Sequence, residues 1–375
     1  MKYYKTIFLR LIYFFVGTVA RILPYWIKAR SIQILPSLRN YPLTPPVNIN
    51  NLPKSFAQNF ATIINIPERH IYLLKNVNVL GAGVIFKNLR IFIPSLSWLQ
   101  DFQSFRQGHI LVKQWNKCVS KVESEPVALV YDYWASVNYF HWMVDSLPRL
   151  LLIKNVYPNC LLLVPAELPE YIRKTTLLFG FDRLLLLKRF DSYKIKKLVF
   201  PELTAPLSFQ DPNLINKVRS IILTKLNLVS KKPVKRIYVS RSHQSVRQII
   251  NEKILISTLK KHAFEIIFFE ELTFEEQIAL MLDTAIIVSV HGANLTNIMF
   301  MSPGSVVVEL MNKNFNNPSY FSLSAVLSLP YYCIPCDLAN PLIDSQDYVL
   351  NNNAALIIDI KEVENTLITA LKDIF

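Results

Sequence analysis

The sequence predicts an α/β protein built on parallel sheet and divided into two domains. Three observations carry this. In the second half, β-rich runs alternate with helical stretches at the pitch of βαβ units, which require parallel strands. One of those runs, "AIIVSV", is apolar almost throughout, as in a strand covered on both faces. The chain has 375 residues, more than a single core of ordinary size holds.

Taken in order, the chain opens on "MKYYKTIFLRLIYFFVGTVARILPYWIKARS". Its longest apolar run, Leu11 to Ala20, is bounded by Arg10 and Arg21 and is too short for a spanning helix, which needs ~20 residues. No small-residue cleavage site follows. Lys2, Lys5, Arg10, Arg21, Lys28 and Arg30 among aromatics suit a segment lying on an anionic leaflet; a helix docked on the first domain is the other reading. Residues 1–34 are therefore set apart. Five prolines between residues 35 and 56 mark an irregular entry to a first domain, 35–205. There "HIYLLKNVNVL", "GVIFKNLRIFI" and "PVALVYDY" read as strands. "SVNYFHWMVDSLPRLLL" reads as a helix, "NCLLLVP" as a buried strand, and "LPEYIRKTTLLFGF" as a helix capped by Gly180. "LLLLKRF" and "KIKKLVFPEL" are further strands. Pro201 to Pro212 marks the junction with a second domain, 206–375. In it "KRIYVSR", "EIIFFE", "AIIVSV" and "SVVVEL" are strands. Helices start at Asn251, at Thr273 with Glu276 as a capping box, and at "HGANLTNIMF".

Composition narrows the function. Half the residues are hydrophobic (51%) and only 18% charged, which excludes global disorder. A formal charge of +14 favours phosphorylated ligands or an anionic membrane surface. No nucleic-acid motif accompanies it, so nucleic acid is not an expected partner. Cys118, Cys160, Cys333 and Cys336 include one Cys-x-x-Cys. No second ligand pair stands near it, so two half-buried thiols in a reducing cytosol are expected rather than zinc.

Two sets of polar residues stand out. His141, Asp145 and Arg149 recur every fourth residue in an apolar helix, one turn after Asn138, and would share one face. Pro148 complicates that stripe by bending the axis. Trp142 and Tyr139 fit an aromatic platform for a ligand or plain core. The second set follows predicted strand ends, where open parallel sheets bind ligands. Arg241, His243 and Arg247 follow "RIYVS", His291-Gly292-Ala293-Asn294 follows "IIVSV", and Glu309 ends "SVVVEL". A small turn at Gly292, the N–H groups of the next helix and the Arg241 fork describe a diphosphate site. Glu309 suits a ribose diol. Nothing resembles a P-loop or GxGxxG, and no Asp-x-Asp occurs.

"NYFHWMVDSLPRLLLI", "KRIYVSRSHQSVRQIINE" and "FEIIFFEELTFEEQIALMLDTAIIVSVHGANLTNIMFMSPGSVVVELM" together resemble glycosyltransferase family 61, of the capsular polysaccharide biosynthesis type. The resemblance covers about residues 128–312, with Asn294 where "HGAGLTN" is commoner and Gln248 where a second Arg is often found. It implies a GT-B-like fold: two Rossmann-like domains facing across a cleft. It implies inverting, metal-independent transfer from a nucleotide sugar, expected to be a UDP-sugar, with no further cofactor. Arg241, Arg247, His291, Gly292, Asn294 and Glu309 would line the donor site. Asp145 is then the first choice of base and His141 the second, with Asn138, Trp142 and Arg149 orienting the acceptor. The acceptor is expected to be a glycan or lipid-linked oligosaccharide for surface polysaccharide, at the cytoplasmic face of the cell membrane. A non-catalytic partner in polysaccharide assembly and a GT-B-like polyol-phosphate transferase are the alternatives. Donor sugar, linkage and oligomeric state are not encoded in any readable motif.

Overall fold

The computed structural model describes residues 29–87, 90–96, 118–122, 125–189, 191–206, 208–315, 317–341 and 348–372. The basic, aromatic segment expected on a membrane lies outside them up to residue 28. Its last residues begin a strand instead. Among the described residues no helix is long and apolar enough to cross a membrane. The fold is mixed α/β with parallel sheet, and the chain clusters into two units. The first holds residues 1–38 and 66–206, the second residues 39–65 and 207–375.

In the first unit the strands are β1 (Ala29–Leu35), β4 (Arg69–Leu80), β5 (Ile85–Lys87), β6 (Arg90–Ile91), β7 (Cys118–Val122), β8 (Val127–Leu129), β9 (Leu161–Pro165), β10 (Leu184–Leu187) and β11 (Ser192–Pro201). The short β2 (Leu38–Pro42) and β3 (Ile63–Ile66) pair only with each other. The main sheet runs β10-β9-β8-β11-β4-β5-β6, with β1 paired to β4 and β7 to β11. From β10 to β11 the pairing is parallel, whereas β4, β5, β6 and β1 join antiparallel. Within the parallel part, counting from β8, the order is 3-2-1-4. Sequence order reverses between β8 and β11, and such reversals open a crevice beyond the strand ends.

The second unit is more regular. Its strands are β12 (Lys235–Val239), β13 (Glu265–Ile267), β14 (Thr284–Val290), β15 (Val306–Asn312), β16 (Tyr331–Leu338) and β17 (Leu356–Ile357), ordered β13-β12-β14-β15-β16-β17. Counted from β12, the first five read 2-1-3-4-5, a doubly wound order. All are parallel except β16 with β17. Every residue of β14 and β15 is buried, as a strand with helices on both faces must be. One face carries Ile286, Val288, Val308 and Ile334 against Leu255 and Leu259 of the helix Glu252–Lys261 and Val363 and Leu367 of the helix Ile360–Lys372.

Residues 39–65, expected with the first domain, belong to the second unit. Asn48 explains this. Its side-chain amide donates to the Cys333 carbonyl (2.7 Å) and accepts from the Cys333 N–H (3.1 Å), standing in for a neighbouring strand on β16. Val47 N–H bonds the Tyr331 carbonyl and Phe60 packs edge-on against Phe321. Cys333 and Cys336 are buried, free thiols of this same strand.

Local signals act as the sequence predicts. Thr273 and Glu276 form the capping box of Phe274–Asp283. Gly180, at φ 78°, closes the helix Glu170–Leu178 with Gly180 N–H on Leu177 O and Phe181 N–H on Thr176 O. The helix Glu252–Lys261 ends in the same bond pair, but with Ala263 in the left-handed conformation, φ 60°. Glycine takes that conformation without the Cβ clash. Ala263→Gly is therefore expected to raise unfolding stability by about 0.5–1 kcal/mol, read as a rise of a few degrees in Tm.

Candidate active site

In the first unit the polar stripe sits on the first helix after β8. Asn138 caps it, its Oδ1 accepting the Phe140 N–H at 2.9 Å. The helix is not uniform. Tyr139–His141 is α-helical, Trp142–Ser146 forms a π-helical turn, and Leu147–Val156 is α-helical again. Pro148 lies just past the wide turn. It has no N–H to give and would crowd the carbonyl four residues back, and widening the turn relieves both. Single π turns recur at functional sites.

The wide turn keeps two residues of the stripe together and removes the third. His141 Nδ1 donates to Asp145 Oδ2 at 2.7 Å, with side-chain exposures of 22% and 12%. Arg149 turns away: buried, it donates from Nε to the Pro201 carbonyl at 2.9 Å and lies over the Phe200 ring. It braces β11 rather than an acceptor. Its burial pulls the guanidinium down to about 10, against the pull of Asp132, Asp145 and Glu202. Trp142 is likewise core. It is fully buried, its indole N–H bonded to Thr175 Oγ1 at 2.9 Å, so no ring face is open to a sugar. Asn138 is a cap whose oxygen is already engaged.

Sequence reading missed Asp132. It follows β8 at the point of strand-order reversal, and its Oδ1 accepts the Ala135 N–H at 2.9 Å. Gly83 makes room for it: a Cβ there would sit 2.6 Å from the Asp132 Cα, and φ is 80°. An Asp directly after the apolar run "PVALVY" was the available signal. Burial pulls the His141 imidazole down, but the Asp145 bond and charge, with Asp132 behind them, leave it above its ordinary value. Burial pushes the Asp145 carboxyl up; His141 opposes this and Asp132 adds to it.

In the second unit, parallel register sets Arg241 beside His291. Val239 pairs with Ser289, so two residues further on the two strand ends are level, flanking the reversal between β12 and β14. Gly292 is extended (φ 169°), a conformation open to any residue. Its requirement is space: a Cβ would lie 2.6 Å from the Arg241 guanidinium and 3.6 Å from that of Arg247. The following helix, Ala293–Phe300, is 3-10 rather than α, with Leu295, Ile298 and the rest of its last six residues buried and no side chain capping its start. Asn294 is half-buried on its first turn.

Arg241 is 8% exposed. Its bonds are long ones, 3.4 Å to the Val246 carbonyl. Burial and the Arg247 charge lower its guanidinium. Two adjacent guanidiniums, one loosely held, call for an anion. Arg247 holds the frame. In the left-handed conformation (φ 56°) it donates to the carbonyls of His291 (2.9 Å) and Asn352 (2.6 Å) and to the Asn352 side chain. Glu309 is corrected outright. It is fully buried, its Oε1 against His291 Nδ1 (2.5 Å) and its Oε2 accepting the Tyr331 hydroxyl (2.6 Å). Both oxygens are occupied, so it orients His291 and is not a ribose acceptor. His243, also singled out, is half exposed and stacks on Phe268. Among the described residues no group of three or more His, Cys, Asp or Glu side chains is arranged to hold a metal ion.

Comparison with known proteins gives a consistent picture. The family model Glycosyltransferase 61 matches residues 139–308, a range that includes His141, Asp145, Arg241, Arg247 and His291 but stops short of Asp132, Asn138 and Glu309. An EGF domain-specific O-linked N-acetylglucosamine transferase of Gallus gallus is 25% identical over 247 residues, 58% of this chain and 46% of the relative. The protein of that name from Drosophila melanogaster is 31% identical over 105 residues, 26% of this chain and 20% of its own. A protein O-linked-mannose beta-1,4-N-acetylglucosaminyltransferase 2 of Takifugu rubripes is 32% identical over 108 residues, covering 28% and 18%. The chain thus spans less than half the length of the curated relatives it matches.

Gly292→Ala supplies a direct check. The added methyl displaces the Arg241 guanidinium, and inorganic diphosphate affinity, measured by calorimetry, is expected to fall about tenfold, the size of one charge-assisted bond, with Tm nearly unchanged.

Proposed function

From the premise that residues 139–308 are a glycosyltransferase family 61 domain, we propose that this protein transfers a sugar from a nucleotide donor to a glycan hydroxyl with inversion. The observation that carries the reading is the repeated placement. In each unit the polar residues follow the strand at which sheet order reverses, Asp132, His141 and Asp145 after β8 and Arg241 and His291 after β12 and β14. A GT-B-like division of labour fits this: the second unit holds the donor and the first addresses the acceptor.

The chemistry follows from the residues. The acceptor oxygen attacks the anomeric carbon as the bond to diphosphate breaks and its electron pair leaves with the diphosphate. Arg241 and the uncapped N–H groups after Gly292 stabilise that charge. The acceptor proton goes to a base. The expected order of the two candidates is reversed here, with His141 as the base. It is the more exposed, and Asp145 sits against its Nδ1, which leaves Nε2 to take the proton. No Asp-x-Asp occurs, and the paired guanidiniums supply the positive charge that a divalent ion otherwise would, so turnover is proposed to be metal-independent. A UDP-sugar is the proposed donor. UDP-N-acetylglucosamine is the first to test, because N-acetylglucosamine appears in the names of the relatives. A surface polysaccharide or lipid-linked acceptor at the cytoplasmic face of the membrane suits the net charge of +14.

The rate is expected to rise with pH through the raised His141 value, since only the neutral imidazole accepts the proton. Asp145→Asn removes the charge that raises it. That limb should shift to lower pH while the plateau falls by about 100-fold or more, with UDP affinity kept; an unchanged pH–rate profile rejects the dyad. Turnover is expected to survive excess EDTA. Loss that Mn²⁺ or Mg²⁺ restores would refute metal independence.

A further inference from the structure

The turn that follows β8 is built more firmly than a connecting loop requires. Asp132 Oδ1 holds the Ala135 N–H (2.9 Å), Asp132 O holds the Ser136 N–H (3.0 Å), and Ser136 Oγ returns to the Tyr133 carbonyl (2.7 Å). Val137 N–H closes on the Trp134 carbonyl at 3.2 Å. The locked turn presents Tyr133 and Trp134, neither fully buried, their rings edge to face at 5.2 Å. Tyr133 is steadied in turn by Arg189, stacked over it at 4.7 Å and donating to its hydroxyl at 3.0 Å. The indole of Trp134 lies 6.1 Å from the His141 ring, tilted by 39°.

A rigid, partly exposed indole beside a histidine–aspartate pair has a specific use. The C–H face of a pyranose is apolar and packs on an aromatic ring, while its hydroxyls stay at the rim for polar partners. We infer that the Asp132–Val137 turn is a sugar platform, with Trp134 stacking the acceptor pyranose so that one of its hydroxyls meets His141 Nε2. This assigns to Trp134 the role that the fully buried Trp142 cannot fill. The nearby carboxylates of Asp132 and Asp145 select a neutral pyranose over a uronate. The inference takes the acceptor side from the transferase reading, but sugar stacking itself needs no donor.

The test uses the full chain and a panel of neutral methyl pyranosides, with methyl glucuronide for comparison, observed by saturation-transfer NMR without nucleotide. At least one neutral glycoside is expected to receive saturation on its C–H face. Trp134→Leu keeps an apolar side chain but removes the π face and should lower affinity about tenfold, whereas Trp134→Phe should keep most of it. Methyl glucuronide should bind more weakly. In turnover, Trp134→Leu should raise the acceptor KM, leaving UDP affinity as it was. Equal binding by wild type and Trp134→Leu, stronger binding of the glucuronide, or no glycoside bound by wild type overturns the platform. If Trp134-dependent binding is found but no sugar nucleotide supports transfer, the platform stands and the transferase reading falls.

Discussion

Parallel strands place all their carboxyl ends on one edge, and a reversal of strand order leaves a gap there that no crossover helix covers. Both candidate residue sets depend on that constraint. In the second unit the reversal between β12 and β14 brings Arg241 level with His291 without any long-range device beyond the ladder itself. In the first, the reversal between β8 and β11 leaves room for Asp132 and for the helix that carries His141 and Asp145. The first sheet is only partly parallel, and its antiparallel strands β4, β5 and β6 lie to one side of that gap.

The two residue sets are electrically opposite, and each solves its burial problem differently. Around His141 the carboxylates of Asp132 and Asp145 compete with burial, and together they raise the imidazole above its ordinary value. Around His291 the guanidiniums of Arg241 and Arg247 sit side by side, and the carboxylate of Glu309 is fully committed to His291 and Tyr331. A buried carboxylate with both oxygens satisfied is a fixed part of the frame. Arg241, with only long bonds, is the member left to respond to a ligand.

Much of this was legible in the sequence. The α/β class with parallel sheet, the capping box at Thr273, the Gly180 cap and the placement of polar residues after strand ends follow from local rules, because each depends on neighbours in the chain. Residues whose partners are distant did not yield. Glu309 looked like a ligand-binding carboxylate, and nothing local reveals that Tyr331 would take its second oxygen. Trp142 and Trp134 are both aromatic residues near His141, and only packing decides which is core. Arg149 kept the spacing of the stripe but left its face, because Pro148 forced a wide turn that spacing arguments do not contain.

The placement of residues 39–65 has a consequence for how the molecule can be divided. Asn48 and Val47 occupy the outer hydrogen-bonding edge of β16 at Cys333 and Tyr331. A fragment beginning at the apparent boundary near residue 207 would carry every strand of the doubly wound sheet. It would still expose a bare edge next to the tyrosine that holds Glu309. Such an edge is a template for pairing with other chains, so the second unit is a discontinuous body whose edge piece precedes its sheet by a whole unit of chain.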